Sequence, residues 1–483
     1  MHYRAIVRIL GLLVALFSVT MVPPALVSLI YQDGSGLPFI LAFILCVITG
    51  TAMWYPNREH RQDLRAKEGF LIVALFWAVL ASFAAIPFIL LEQPSMTVTD
   101  AFFESFSGLT TTGATVIEGI EFLPHSIQFY RQQLQWFGGM GIIVLAVAIL
   151  PILGVGGMQL YRAEMPGPVK DSKMTPRIAD TAKHLWYIYL SLTISCTVAY
   201  WLAGMDWFDA ICHAFSTVAI GGFSTHDASL GYFDSPLINV ICAVFLLIAA
   251  LNFSLHYAAV TSRSVRNYLQ DPEFKAFFII QASLIILCFL VLVLTGYYST
   301  AEEALDQAMI QAVSISTTAG FATTDFSSWP TFLPIMLIFA SFIGGCAGST
   351  GGGLKVIRVF LLFLQGRREI DRLIHPKAVY SVKLGERAMP DRVVEAVWGF
   401  FSAYAIVFVL IMLGMIAAGL DNLTAFTATA ATLNNLGPGL GSVAGTYAEV
   451  SDPGKWLAVV AMLFGRLEVF SLLVLFSPTF WRS

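Results

Sequence analysis

The chain has 483 residues, of which 57% are hydrophobic and only 12% charged, and its mean hydropathy is +0.76. Soluble domains carry about 25% charged residues, so this composition excludes a chain of soluble domains. The net charge of -4 gives no general attraction to nucleic acid.

A membrane-spanning helix needs about 20 mostly apolar residues. Ten such segments are predicted, near 5–30, 37–55, 70–91, 130–157, 185–204, 236–260, 275–297, 331–364, 393–419 and 455–478. The first has no small-residue cleavage site after it, so it reads as a retained helix rather than a signal peptide. Lys and Arg cluster in 57–68, 160–184, 262–275 and 366–392, and these stretches alternate with loops nearly free of both. The bias sets the expected orientation, with the basic loops and both termini cytoplasmic.

Each of the last four outer loops contains a helix-like stretch too short to span. The four align without gaps: DAFFESFSGLTTTG from Asp100, DAICHAFSTVAIGG from Asp209, QAMIQAVSISTTAG from Gln307 and TAFTATAATLNNLG from Thr424. Alanine stands second in all four and glycine fourteenth, as Gly113, Gly222, Gly320 and Gly437. Such self-similarity marks an internal repeat. The expected fold is therefore all-α and integral to the membrane. Four tandem helix–re-entrant pore loop–helix repeats stand in a pseudo-fourfold arrangement around one pore, after two extra N-terminal transmembrane helices. The units are 1–68 for the extra helices, then repeats at 69–160, 161–262, 263–366 and 367–483, the third with a broken second helix.

Non-helical backbone at membrane depth is tolerated only inside protein or beside water. Four short helices ending in extended, glycine-bearing strands would offer rings of carbonyl oxygens that replace a cation's water shell. Their negative dipole ends favour a cation over an anion.

The third post-loop helix contains GGCAGSTGGG, Gly344 to Gly353. Each glycine is about 1 kcal/mol worse than alanine in a helix, so the helix should break there, directly under the loops, and could gate them. A glycine kink without a gating role is the competing reading. The stretch is not a phosphate-binding loop, because Gly353 is followed by Leu354 before Lys355 and no strand precedes it. Arg466 falls inside the last span, and an intramembrane charge is a functional hypothesis by default. It is expected to face the pore below the loops, near Gly344–Gly353; a structural salt bridge to a neighbouring helix is the alternative. Glu468, two residues on, lies on another face and should not pair with it. Lys355 and Arg358 are expected to snorkel at the cytoplasmic end. Asp100 and Asp209 are expected to cap their short helices. Glu104 and His213 read as hydrogen-bonded packing. The six cysteines read as small buried hydrophobes, and the eight histidines show no metal-ligand spacing. No catalytic constellation is present in the sequence, so no enzyme is expected.

At TTTGAT (Thr110–Thr115), AIGGFST (Ala219–Thr225), TTAGFAT (Thr317–Thr323) and NNLGPG (Asn434–Gly439) the sequence resembles the Trk/Ktr/HKT superfamily of potassium transporters, and within it the TrkH type. The two leading helices mark that type. In this superfamily glycine at the first filter position goes with K⁺ and serine with Na⁺, so Gly113 implies K⁺. The resemblance implies that the ion is faced by carbonyls of Thr111, Thr112 and Gly113; Ile220, Gly221 and Gly222; Thr318, Ala319 and Gly320; and Asn435, Leu436 and Gly437. It implies an intramembrane gating loop at Gly344, Gly345, Gly348, Ser349, Thr350, Gly351, Gly352 and Gly353. It further implies a bacterial inner-membrane location, a homodimer, and cytosolic TrkA-type (RCK) regulatory subunits carrying NAD(H) or ATP/ADP, with no cofactor held by this chain. K⁺ uptake is the expected function. An alternating-access K⁺/H⁺ or K⁺/Na⁺ symporter is the alternative; it would usually show inverted repeats, whereas these four are parallel.

Overall fold

Apolar side chains all round a helix leave it no way to hide in water, and here such helices carry their apolar surface outward. In the span Pro272–Leu294 only 22% of the apolar window is buried. Leu294 is 83% exposed, and Leu29 and Ile30 each 74%. A soluble protein buries such residues; a bilayer covers them.

The computed structural model describes residues 1–60, 66–141, 178–378, 380–385 and 387–481. These are mainly helical, with one short hairpin, Lys383–Leu384 against Arg387–Ala388. Among them six helices are long and apolar enough to cross a membrane: Tyr3–Tyr31, Gly36–Asn57, Lys67–Ile89, Lys183–Leu202, Pro272–Leu294 and Asp391–Ala417. The first two pack backbone on backbone. A Cβ on Gly50 would stand 2.5 Å from the Ala15 nitrogen, the close approach that small residues permit between membrane helices.

Three of the remaining four expected spans are not continuous rods. Pro236–Ala249 meets Phe253–Ser262 at 89°. Leu333–Ser341 is followed by non-helical chain until Val356–Ile374 begins. Asp452–Arg466 stops where Glu468 and Val469 take positive φ, before Phe470–Phe476. The expected single helices near 236–260 and 455–478 are thus corrected to broken ones; only the break in 331–364 was anticipated, because only there does glycine accumulate. His125–Gly139 forms the start of the expected 130–157 span. Residues 142–177, which hold most of the rest of that span and most of the basic loop 160–184, lie outside the described residues.

Candidate functional site: four loops, a glycine-rich segment and a buried arginine

The four aligned segments each form a short helix: Val98–Leu109, Trp207–Val218, Ala301–Ser316 and Asn422–Leu433. Each begins with a side-chain cap. Thr97, Asp206, Thr300 and Asp421 accept backbone N–H groups of the first turn. Asp100 and Asp209 are therefore not the caps, a correction to the sequence reading; they sit three residues further in. There Asp100 accepts Lys455 Nζ at 2.7 Å, and Asp209 accepts Thr225 Oγ1 at 2.6 Å.

All four helices end alike. The N–H of the thirteenth residue bonds back to the eighth carbonyl: Thr112 to Ser107 (2.9 Å), Gly221 to Ser216 (2.8 Å), Ala319 to Ser314 (2.8 Å) and Leu436 to Ala431 (2.7 Å). The twelfth residue then takes positive φ, as Thr111 (56°), Ile220 (54°), Thr318 (69°) and Asn435 (55°). This is the Schellman ending, built without the usual glycine. The left-handed conformation costs about 1–2 kcal/mol for a side chain, so the same strain is held four times. The fourteenth residue is again left-handed, as Gly113 (80°), Gly222 (79°), Gly320 (83°) and Gly437 (98°).

These glycines close a ring. A Cβ on Gly113 would lie 2.1 Å from the Gly221 carbonyl oxygen, and one on Gly222 2.0 Å from that of Ala319. One on Gly320 would lie 2.1 Å from that of Leu436, and one on Gly437 2.7 Å from that of Thr112. Each fourteenth residue thus backs onto the thirteenth carbonyl of the next segment, and the fourth returns to the first. No Cβ fits at any of the four places. Two carbonyls of the predicted set also accept side-chain donors: Gly221 from Gln135 Nε2 at 2.6 Å and Gly437 from the Tyr447 hydroxyl at 3.1 Å.

The segment 342–355 runs beneath this ring and is tied to every quarter of it. Thr350 Oγ1 donates to the carbonyl of Val218, the last residue of the second short helix, at 3.0 Å. Gly352 N–H donates to Thr318 Oγ1 at 2.7 Å, and Gly353 N–H to the Asn434 carbonyl at 3.1 Å. Arg466 links the first quarter, with Nη1 3.4 Å from Thr111 Oγ1 and 3.3 Å from the Thr350 carbonyl, and Nη2 on the Gly138 carbonyl. Its guanidinium also lies 5.0 Å from the Trp77 ring centre. The remaining predicted residues are placed by the same segment. Gly344, Gly348 and Gly353 take positive φ. A Cβ on Gly345 would meet Ser349 Oγ, and one on Gly351 the Thr317 carbonyl.

Glu468 does not pair with Arg466, in line with the sequence reading; it binds Arg358. Lys355 and Arg358 do not snorkel. They are 5% and 7% exposed, Lys355 Nζ donating to the Gly351 carbonyl and Arg358 lying 4.2 Å from the Phe400 ring centre. The helix break turns the chain back inward after Gly353, which sequence distance from the helix end could not reveal.

Three buried groups had not been singled out. Glu273 Oε1 accepts the N–H groups of Ala347 (2.8 Å), inside the glycine-rich segment, and Ile357 (3.2 Å), in the first turn of the helix that follows it. Arg131 and Gln135 reach the loops from the helix His125–Gly139. The unusually polar run QFYRQQLQW was the signal for that helix.

A family model for TrkH, described as a cation transport protein, matches residues 36–483. The chain belongs to the TrkH family of cation transport proteins. It is 65% identical to the Trk system potassium uptake protein TrkH of Vibrio parahaemolyticus and 62% to that of Escherichia coli, with 100% of both chains covered in each case. It is 42% identical to the Trk system potassium uptake protein TrkG of Escherichia coli, covering 100% of this chain and 99% of that one. The crystal structure of the potassium transporter TrkH from Vibrio parahaemolyticus superposes with a TM-score of 0.92 at 62% identity, covering 100% of both chains. With its apolar helices, this TrkH-family chain is a multi-pass membrane protein.

Proposed function

We propose that this protein takes up K⁺ across the bacterial inner membrane through the ring of four loops. The supporting observation is the closed glycine–carbonyl circuit from Gly113 to Gly437. Left-handed residues at the twelfth and fourteenth positions flank a thirteenth that is not left-handed. In this reading the carbonyls of the four triplets Thr111–Gly113, Ile220–Gly222, Thr318–Gly320 and Asn435–Gly437 replace a cation's water. Readout by backbone also accounts for side chains as different as Thr, Ile and Asn in one slot. Relatives named as potassium uptake proteins supply the ion.

In this reading the segment Gly344–Gly353, held by Arg466, obstructs the path and moves aside to open it. Both termini and the basic loops are cytoplasmic. Two copies associate, and a TrkA-type ring binding NAD(H) or ATP/ADP controls the segment from the cytosol; these two points rest on the resemblance. A fixed pore is favoured over a symporter because the four loops make one cyclic arrangement rather than two opposed halves.

The test is ⁸⁶Rb⁺ uptake into liposomes driven by an outward K⁺ gradient, with Na⁺ and Li⁺ as competitors. Block by K⁺ but not Na⁺, with that preference lost in Gly113→Ser, supports the filter. Equal competition by Na⁺, or no uptake with or without a partner, overturns it.

A further inference from the structure

We infer that the buried Glu104–Arg131 pair is a positioning strut that fixes the spacing of the first two loops and thereby the discrimination between monovalent cations. The inference rests on the filter reading above.

Glu104 is the fifth residue of the first aligned segment; its counterparts are His213, Gln311 and Ala428. In three of the four, this side chain reaches back to the strand leaving its own loop. Glu104 Oε2 accepts Thr115 Oγ1 at 3.0 Å and Val116 N–H at 3.2 Å. His213 Nε2 and Ser224 Oγ are 2.9 Å apart. Gln311 Nε2 donates to the Thr324 carbonyl at 3.1 Å. Ala428 has nothing to offer. The slot therefore holds a strut that is ionic in the first segment, an imidazole in the second, an amide in the third and missing in the fourth.

Through Arg131 the ionic strut bridges two loops by hydrogen bonds. Arg131 Nε donates to Glu104 Oε1 at 2.7 Å, Nη2 to Thr115 Oγ1 at 3.2 Å and Nη1 to the Ser224 carbonyl at 3.1 Å. Its guanidinium lies 4.2 Å from the Phe223 ring centre. One rigid fork thus holds the outgoing strands of the first and second loops. Gln135, one turn on, binds the Gly221 carbonyl and the Phe223 N–H at 2.6 and 3.0 Å. The pair's side chains are 1% and 0% exposed. A pair so deep is a poor source of stability, since desolvation offsets its attraction. What it supplies is a fixed distance between two backbones whose carbonyls face the ion, and ring size and stiffness are what a carbonyl filter selects with.

The test uses the full chain in liposomes and reads the ratio of Na⁺ to K⁺ concentrations that half-block ⁸⁶Rb⁺ uptake. The variants are Arg131→Gln, Arg131→Lys, Thr115→Val and the double Glu104→Gln/Arg131→Gln. Arg131→Gln is expected to lower the ratio at least about twofold, the low end of coupling between contacting groups. Arg131→Lys should recover part of it, and Thr115→Val should lower it while leaving the ion pair whole. The double variant should be less impaired in yield than Arg131→Gln, because neither charge is left buried alone. If Arg131→Gln does not fold, Thr115→Val and Arg131→Lys carry the test. An unchanged ratio in all of them beside a lowered ratio in Gly113→Ser overturns the strut and leaves the filter standing. An unchanged ratio in Gly113→Ser as well overturns both.

Discussion

Thr318 Oγ1 accepts the backbone N–H of Gly352 at 2.7 Å, so the third loop and the glycine-rich segment share a hydrogen bond. The contact joins the strained twelfth position of the loop to a residue with no side chain of its own. In the proposed reading, selectivity and obstruction are thus built from one piece of packing, and Gly352→Ala and Arg466→Ala should separate them.

Gly352→Ala is the most direct. A Cβ at Gly352 would stand 1.9 Å from the Asn434 carbonyl oxygen. Overpacking of this kind costs about 1–3 kcal/mol, and in the proposed reading it is relieved when the segment moves aside. Uptake without a regulatory partner should rise by about fivefold or more, with the Na⁺/K⁺ competition ratio unchanged. Unaltered uptake in a folded variant would show that seating of the segment does not limit flux.

Arg466→Ala removes the guanidinium that bridges Thr111, Gly138 and Thr350. Hydrogen bonds from a charged donor are worth about 1.5–3 kcal/mol each. Uptake should increase about tenfold or more, and Arg466→Lys, which keeps the charge but not the fork, should fall between. A lower melting temperature without added uptake would instead mark Arg466 as a structural tie.

The ring was legible in sequence because its requirement is repeated at the same place in four segments. Four glycines recur at the fourteenth place because a Cβ there would strike the neighbouring carbonyl. The short helices were legible because their apolar runs are too brief to span. The breaks after Ala249 and Arg466 were not, since the chain there has no glycine cluster; at the first, the freed backbone is held by tertiary contacts, Cys346 N–H on the Ala250 carbonyl at 2.8 Å and Phe253 N–H on the Gly348 carbonyl at 3.1 Å. Lys355 and Arg358 were misplaced for the same reason. Glu273 announces nothing locally, because its partners lie on another segment of the chain, whereas Arg131 stands in the polar run QFYRQQLQW and only its partners were hidden.

Glu273→Ala should destabilise the protein more than Glu273→Gln. The alanine variant leaves the buried N–H groups of Ala347 and Ile357 without their acceptor, at about 1–3 kcal/mol for each orphaned donor. Glutamine retains a carbonyl oxygen in the same place. Thermal melting in detergent should rank wild type and Glu273→Gln above Glu273→Ala, and equal melting of the two variants would remove Glu273 from the support of the segment.

Asp33 shows what the two leading helices are fastened to. It lies in the turn between them, accepting Ser28 Oγ at 2.5 Å and Ser35 N–H at 3.0 Å, and it also accepts the N–H of Ser126, at the start of the helix that carries Arg131, at 2.8 Å. Partial burial pulls its carboxyl upward, but the bonds from Ser28, Ser126 and Ser35 outweigh this and hold it below the ordinary carboxylate value. A group lowered in the folded state contributes stability above its unfolded pKa, near 3.9 for Asp, and loses it as pH falls through the folded value. Asp33→Asn should therefore melt lower than wild type at pH 7, and the gap should narrow below about pH 4. The measurement is paired melting curves across that range. A gap of constant size would show that the amide's geometry, and not the loss of the ionised carboxylate, is what weakens the joint.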